Sequence, residues 1–469
     1  MDRSCSKEFA SNYMLLSSEN LGFLDLFYIL FSKDLKNRTF IDCSEATREE
    51  SCSRRWIIFA SIVAQKLLFL LAKPMARFGY KVEYCLNLIS SNGGFLGLVQ
   101  NYLRGKVIEP NMESASFFSV TEYTDKRIDL DQNIKPGDSR YLSVLSIMAA
   151  KASYENKAYL ETIVRDHWKM ELLGSFNFWN DYQQKATTQA FMCRETRGDE
   201  EQIVVSFRGT EVFDADAWSS DVDLSWYELH CGVGKVHGGF LKALGLQKSL
   251  GFPKEIEHVA DKPVAYYFIR NMLRELLGAN KNAKFIVTGH SLGGALAILF
   301  SGLLAFHKED LLLERLQGVY TFGQPRVGDA EFGNFMEEQL KNNNIRYFRT
   351  VYCNDIVPRL PYDDSNFMFK HFGECLYINS FYEGQIVAEE PNKNYFSLLH
   401  AIPKRANAVW ELARGFIIPY TRGSDYREGA LLRVIRVLGV LVPGISAHIP
   451  QNYVNAARLV SSGVLDTDD

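Results

Sequence analysis

Short runs of β-branched and aromatic residues alternate with helical patterns in the chain downstream of about residue 140. These runs are apolar along their whole length, as is typical of strands covered on both faces, and they lie at 203–207, 285–287, 318–322 and 347–351. Helical segments separate them. The alternation predicts an α/β fold with a mostly parallel or mixed central sheet.

The first 135 residues have a different pattern, with long apolar runs and no catalytic motif. The strongest run, 56–72, is interrupted by Gln65 and Lys66 and has basic residues on both sides. It is compatible with a helix buried against the rest of the protein, or with a monotopic helix inserted in a lipid surface and turned back near Pro74. Lys66 disfavours a complete membrane span. We therefore expect two regions, 1–135 and 136–469, the first apolar and mainly helical.

Composition limits the possible functions. The 469 residues are 47% hydrophobic and 23% charged, with a formal net charge of −4, which is typical of a globular protein and gives no electrostatic case for nucleic acid. The eight cysteines form no CxxC pair, so neither a metal site nor a disulfide scaffold is expected. No cofactor is expected either. The polar N-terminus matches no signal peptide, which favours the cytosolic side.

The stretch from Gly289 to Gly293 reads Gly-His-Ser-Leu-Gly and lies between a predicted strand and a helix rich in Ala and Leu. Strand, Gly-x-Ser-x-Gly turn and helix are the context of a nucleophile elbow, so Ser291 is predicted to be a nucleophile in an α/β-hydrolase-type fold. The N–H of Leu292 would donate to an oxyanion. His290 is expected to point away from the nucleophile and to be structural.

A serine nucleophile needs a histidine base and a carboxylate that orients it, in the chain order Ser, acid, His. Asp355 directly follows the predicted strand 347–351 and is the candidate acid, whereas Asp363 is expected to be solvated. His448, in a loop after an apolar helix, is the candidate base. His400 stays an alternative for the base, and it could also be a core histidine.

The second oxyanion donor should come from the end of an early strand. Thr210, in Phe-Arg-Gly-Thr after the strand 203–207, fits this position and offers both an N–H and a hydroxyl. Without Ser291, the same four residues would be read as an ordinary turn.

The motifs of the chain together resemble the class 3 lipase family, over roughly residues 140–460. The matching segments, in order, are 207–210, 236–240, 289–295 and 354–358. The resemblance implies an α/β-hydrolase catalytic domain over 136–469. It also implies a lid between residues 211 and 226, for which Phe213, Trp218 and Val222 are the apolar candidates.

The apolar region 1–135 resembles, more narrowly, the plant oil-body triacylglycerol lipases, in which such a region associates with the droplet surface. The segment 431–438 has arginines three residues apart on one helical face with apolar residues around the remainder, and it fits either lipid contact or packing on the sheet.

The leading hypothesis is a serine lipase that hydrolyses triacylglycerol at a lipid-droplet surface, on the cytosolic side, with the endoplasmic reticulum membrane as a second location. A phospholipase or galactolipase acting on membrane lipids is an alternative. A non-enzymatic lipase-like scaffold is the other, although a scaffold has no chemical need for Ser291, Asp355, His448 and Thr210 together. The expected partners are an acyl lipid and a lipid surface, and no nucleic acid.

Overall fold

The structure, a computed structural model, describes residues 10–16, 23–31, 40–43, 52–211, 214–230, 232–246, 252–256, 261–361, 363, 368–393, 395 and 398–464. The strands are β1 (Ala10–Leu16), β2 (Ile41–Cys43), β3 (Glu171–Asn180), β4 (Lys185–Arg197), β5 (Glu200–Phe207), β6 (Trp226–Leu229), β7 (Gly234–His237), β8 (Lys284–His290), β9 (Leu316–Phe322), β10 (Arg346–Tyr352), β11 (Cys375–Ile378) and β12 (Gly384–Val387).

The first eight described α-helices are α1 (Phe23–Phe31), α2 (Cys52–Ser91), α3 (Phe95–Leu103), α4 (Val120–Thr124), α5 (Tyr141–Ala152), α6 (Lys157–Thr162), α7 (Ala215–Val222) and α8 (Gly238–Ala243). The later helices are α9 (Ala265–Ala279), α10 (Leu292–Phe306), α11 (Asp310–Arg315), α12 (Ala330–Asn342), α13 (Ala401–Thr421), α14 (Ala430–Leu441), α15 (Pro443–Ala447) and α16 (Pro450–Leu459).

The large sheet has the strand order β12-β11-β10-β9-β8-β5-β4-β3. Its centre, from β5 to β11, is parallel, while β3, β4 and β12 add antiparallel pairs at the edges. This topology confirms the predicted α/β-hydrolase-type fold, and each predicted strand lies within an observed one.

Helices cover both faces of this sheet, which explains why its strands are apolar without alternation. On β8, Val287 packs in the same cluster as residues of α9 and α10, whereas the adjacent Ile286 packs with residues of α5 and α16 on the opposite face. The sheet therefore forms the middle layer of the protein, with one hydrophobic core on each of its faces. The loops at the carboxyl ends of the parallel strands lie at the edge of this layer.

A second, smaller sheet is antiparallel and has the order β2-β1-β6-β7. Its strand β1 belongs to the N-terminal region, yet it pairs with β6, for example Tyr13 with Tyr227. The Leu16 N–H also donates to Ser225 Oγ at 2.9 Å. The pairing thus crosses the predicted boundary at residue 135.

The long helix α2 continues through Pro74 without a turn. The predicted reversal near Pro74 is therefore wrong. An internal proline removes one backbone hydrogen bond and crowds the preceding turn, which kinks a helix but does not have to end it. The chain reverses only after Ser91, where Gly93 and Gly94 adopt φ values of 75° and 91°.

Helix α2 is the one described helix that is long and apolar enough, by length and composition alone, to cross a membrane. Its first half packs on the protein, since Ile58 and Ile62 are buried in a cluster with Trp226. Gln65, which interrupts the apolar run, is buried and donates to Asp223 Oδ1 at 3.4 Å. Between Leu67 and Tyr80, six large apolar side chains of this helix are exposed.

Candidate active site

Ser291 lies in the turn between β8 and α10, with φ 58° and ψ −129°. Its N–H donates to the Phe322 carbonyl on neighbouring β9 at 2.9 Å, which fixes the turn to the sheet. A Cβ at Gly289 would lie 2.1 Å from the Gly293 backbone, and one at Gly293 would lie 2.3 Å from the Phe207 carbonyl oxygen. Both flanking glycines are therefore required by the close approach of strand and helix.

The structure brings Ser291, His448 and Asp355 together in one chain of hydrogen bonds. His448 Nε2 lies 2.8 Å from Ser291 Oγ, and His448 Nδ1 lies 2.7 Å from Asp355 Oδ2. Because an ionised carboxylate can only accept, Nδ1 carries the proton and Nε2 is free to accept one from the serine. The arrangement has the geometry of a nucleophile, a general base and an orienting acid.

Asp355 follows β10 and its side chain is fully buried. Its Oδ1 accepts the Val357 N–H at 2.9 Å, and its Oδ2 accepts from both His448 and the Tyr453 hydroxyl. Burial, together with the charge of Asp355, raises the pKa of Tyr453 well above its usual value, so this phenol stays a donor. Three donors thus compensate the buried carboxylate.

His290 contacts the base from behind. Its Nε2 lies 2.8 Å from the His448 carbonyl oxygen, and its Nδ1 lies 2.9 Å from the Tyr154 hydroxyl. Because a carbonyl oxygen can only accept, Nε2 carries the proton and Nδ1 accepts from the hydroxyl. Burial, and then the neighbouring His448, lower the pKa of His290 well below its usual value. His290 is therefore neutral, and it links the elbow to the backbone of the base.

The two predicted oxyanion residues, Leu292 and Thr210, are each next to a residue that contacts the elbow or belongs to it. Leu292 is the first residue of α10, and Thr210 follows Gly209, whose Cα approaches the His290 carbonyl so closely that a Cβ would lie 2.5 Å from it. A small cleft beside Leu292 is lined by Gly209, Asp214 and Leu296, among others. The residue before Thr210 and the residue after Ser291 therefore line the same cleft.

The lid candidates Trp218 and Val222 lie on helix α7, which packs against α2, and both are half-buried. The Ser61 hydroxyl of α2 donates to the Val222 carbonyl at 2.7 Å. Phe213 lies outside the described residues. The segment expected to be a lid thus includes a short helix that is held by the N-terminal region.

The structure corrects two expectations about neighbouring residues: a core position for His400 and a solvated Asp363. His400 is exposed at the start of α13, so it is not a core histidine, and it has no hydrogen bond to Ser291. Asp363 is buried and pairs with Lys393 at 3.4 Å, so it is not solvated. Sequence reasoning also missed Tyr154 and Gly323, because neither lies in a motif. The fold brings Tyr154 against His290 and Gly323 against Asp355 and His448.

Among the described residues, no group of three or more His, Cys, Asp or Glu side chains could hold a metal ion.

A serine on a strand–turn–helix elbow, hydrogen-bonded to a histidine and a buried aspartate at the carboxyl end of a parallel sheet, defines the protein as a serine hydrolase of the α/β-hydrolase class. The chain belongs, within that class, to the class 3 lipase family. The family profile "Lipase (class 3)" matches residues 204–365. The expected family and its ester-hydrolase chemistry are thereby confirmed.

The relatives align over almost the whole chain. The triacylglycerol lipase OBL1 of Arabidopsis thaliana is 42% identical over 96% of this chain and 95% of its own length. The protein of the same name from Ricinus communis is 37% identical over 96% of this chain and 95% of its own length. A solved structure of the Rhizomucor miehei triacylglyceride lipase is 25% identical, with a TM-score of 0.39, over 52% of this chain and 81% of that structure.

Proposed function

We propose that this protein is a serine lipase that hydrolyses the ester bonds of triacylglycerol at the surface of lipid droplets. The observation that carries the proposal is the unbroken chain of hydrogen bonds from Ser291 through His448 to Asp355 in a member of the class 3 lipases. The related OBL1 proteins, which are named triacylglycerol lipases and align over nearly their full length, support the substrate.

In the proposed reaction, Ser291 Oγ attacks the ester carbonyl carbon while His448 Nε2 takes the hydroxyl proton. The tetrahedral oxyanion accepts hydrogen bonds from the Leu292 N–H and from Thr210. Collapse of this intermediate gives an acyl-enzyme and releases the diacylglycerol, whose oxygen receives the proton from His448. Water, activated by the same imidazole, then releases the fatty acid and restores Ser291.

Residues 1–135 are proposed to form the lipid-surface association region and residues 136–469 the catalytic domain. In α2, the exposed apolar residues Leu67, Leu70 and Leu71 are followed by Lys73 and Arg77, which are also exposed. Long cationic side chains can reach lipid head groups while neighbouring apolar side chains enter the lipid. A droplet has one phospholipid layer over oil, so a monotopic contact suits it. The protein would lie on the cytosolic side of the droplet, and the endoplasmic reticulum membrane is a second location.

A substrate panel tests the proposed reaction. Purified full-length protein would be assayed on a triacylglycerol emulsion, on phospholipid vesicles and on galactolipid vesicles, with Ser291→Ala as the control. We expect fatty-acid release mainly from triacylglycerol, and a loss of about 10⁴-fold or more in the variant. Faster release from phospholipid or galactolipid would overturn the proposed substrate, and equal activity of Ser291→Ala would overturn the mechanism.

The proposed location is tested with fluorescent fusions of the full chain. Replacing Leu67, Leu70 and Leu71 by glutamate should weaken droplet coating, since each charge costs about 2.5–3.5 kcal/mol at a deeply inserted position. The matched control is Leu311→Glu, which charges an exposed leucine of α11 outside the N-terminal region. Equal coating by both variants would show that α2 does not contact the droplet.

A further inference from the structure

Helices α13 and α14 form a hairpin with a cluster of buried charged side chains on the side that faces the protein. Arg436 of α14 makes a two-pronged ion pair with Glu428, at 2.6 and 2.7 Å, and its third nitrogen lies 3.4 Å from a Glu411 oxygen. Arg414 of α13 donates to the Tyr352 hydroxyl at 2.8 Å. All four charged side chains are almost completely buried. The polar face of this hairpin is therefore its inner face.

The outer face of α14 is apolar. Val434, Val437, Leu438 and Leu441 are all exposed, and Leu441 has 72% of its surface accessible. These positions follow helical spacing, so they form a continuous stripe opposite Arg436.

The outer face of α13 continues this apolar surface. Val409, Phe416, Ile417 and Tyr420 are exposed, and Tyr420 has 90% of its surface accessible. We call the eight exposed side chains of the two helices the hairpin face. A helix on a water-exposed surface normally turns its charges outward and its apolar residues inward, and here the order is reversed.

We propose that the hairpin face is a second lipid-contacting surface, which enters the phospholipid layer of a droplet independently of α2. Contact with lipid would account for this reversed arrangement. In an apolar solvent, apolar side chains are favoured on the outside of a protein and charged side chains on the inside, where they neutralise one another. The choice of the droplet as the lipid surface rests on the proposed function. Contact with lipid by the hairpin does not.

The charges at the edge of the hairpin complement such a surface. Within 398–447, the exposed Asp, Glu, Lys and Arg residues are three cations, Arg405, Arg422 and Arg427, and one anion, Asp425. Cationic residues beside an apolar face are attracted to anionic phospholipid head groups. Helix α14 has 12 residues, too few to span a bilayer, and α13 has 21 residues but is not apolar enough to span one. The hairpin would therefore lie in the surface and not cross it.

Hydrogen bonds connect the hairpin to the residues that directly precede the catalytic base. Arg436 donates to Asn452 at 2.9 Å, and the Asn452 amide donates to the carbonyls of Ser446 and Ala447, at 2.8 and 3.3 Å. His448 is the next residue of the chain. Docking of the hairpin face would therefore fix the lipid surface relative to the active site, in addition to holding the protein on the droplet.

The test measures binding without turnover. Full-length protein carrying Ser291→Ala would be floated with triolein droplets coated with phosphatidylcholine and phosphatidylserine. Replacing Leu438 and Leu441 by serine should lower the partition coefficient about a hundredfold, from the transfer free energy of two largely exposed leucines. Leu311→Ser, an exposed leucine on α11, should bind as the parent does. Unchanged binding by the double variant would overturn the proposal.

A second measurement does not depend on a loss of binding. The fluorescence of the Leu438→Trp variant should be quenched more than that of the parent by brominated phospholipid on these droplets, whereas Leu311→Trp should add no quenching. No added quenching at position 438 would contradict lipid contact. The hairpin face could instead contact a second copy of the chain. In that case the wild-type protein is a dimer, and Leu438→Ser with Leu441→Ser separates it into monomers without lowering droplet binding. That result would show the proposal to be wrong.

The failure of this proposal is distinguishable from failure of the proposed function. When Ser291 is kept, the variant with Leu438→Ser and Leu441→Ser should hydrolyse a soluble monomeric ester such as p-nitrophenyl butyrate at the wild-type rate. It should lose activity only on the triacylglycerol emulsion. Absence of ester hydrolysis in the wild-type protein, with normal flotation, would contradict the lipase function and leave the hairpin proposal standing.

Discussion

Replacing Gly323 by alanine is expected to disable catalysis while the protein stays folded. Gly323 directly follows β9, its N–H donates to the Thr350 carbonyl at 3.0 Å, and its φ is +62°. A Cβ at this position would lie 2.9 Å from Asp355 Oδ2 and 3.0 Å from His448 Nδ1. These two atoms form the hydrogen bond that orients the imidazole, so the added methyl group would lie directly against it.

The size of the effect follows from these distances. Unstrained contacts with carbon lie at about 3.5–4 Å, so the imidazole or the carboxylate must move by roughly 0.5–1 Å. A misplacement of about 1 Å can cost 10²-fold in rate, equivalent to about 2.7 kcal/mol in the barrier. The positive φ adds about 1 kcal/mol of backbone strain to any alanine there.

Gly198→Ala is the matched control for the backbone strain. Gly198 lies in the turn between β4 and β5 with φ +61°, and nothing lies within 4 Å of its added Cβ. Urea denaturation should report a similar loss of stability from strain in both variants. Hydrolysis of p-nitrophenyl butyrate should fall only in Gly323→Ala. If the two variants keep the same kcat/KM, the contact with the Asp355–His448 pair does not limit catalysis and the reasoning is wrong.

The remaining predictions concern the catalytic base, the oxyanion residue and a buried glutamate. His448→Ala should lower kcat on the soluble ester by about 10⁴-fold while the exposed His400→Ala keeps its activity, and the reverse ranking would disprove the assignment of the base. Thr210→Ala should lower kcat by about 10²-fold and Thr210→Ser much less, whereas equal and severe losses would indicate packing. Burial, and then the charge of Glu122, raise the pKa of Glu155 from 4.5 to about 8, so the folded protein holds a proton that the unfolded chain releases. The associated stability is complete below pH 4.5 and is lost as the pH rises to about 8, so Glu155→Gln should flatten this decline in urea denaturation, and an unchanged slope would contradict it.

The residues of the candidate site could be found from the sequence because each carries a local signal. Ser291 lies between a strand pattern and a small-residue helix, and Asp355 comes directly after a strand. In a parallel sheet, the carboxyl ends of neighbouring strands meet at one edge, so local assignments are enough to place these two groups together. His448 needed the chain order as well, since its loop has no strand before it.

The residues that sequence reasoning missed depend on contacts between distant segments. Gly323 looks like any glycine after a strand, and only the fold brings it against a residue more than a hundred positions later. The direction of α14 is a similar case. Its arginine spacing predicts a charged face, but that face turns inward because Glu411 and Glu428 lie there to neutralise Arg436. Periodicity identifies the faces of a helix and cannot say which of them meets the protein.

The pairing of β1 with β6 has a practical consequence for preparing a soluble enzyme. Deleting the apolar N-terminal region would turn β6 into an open edge strand. It would also uncover Trp226, which is now 2% exposed, because the residues of β1 and α2 that pack with it would be lost. An unprotected apolar edge is a template for intermolecular strand pairing, so such a truncation should aggregate. Polar substitutions at outward positions such as Leu70 keep both the edge and the core covered, and they are the better route to protein that stays dispersed without detergent.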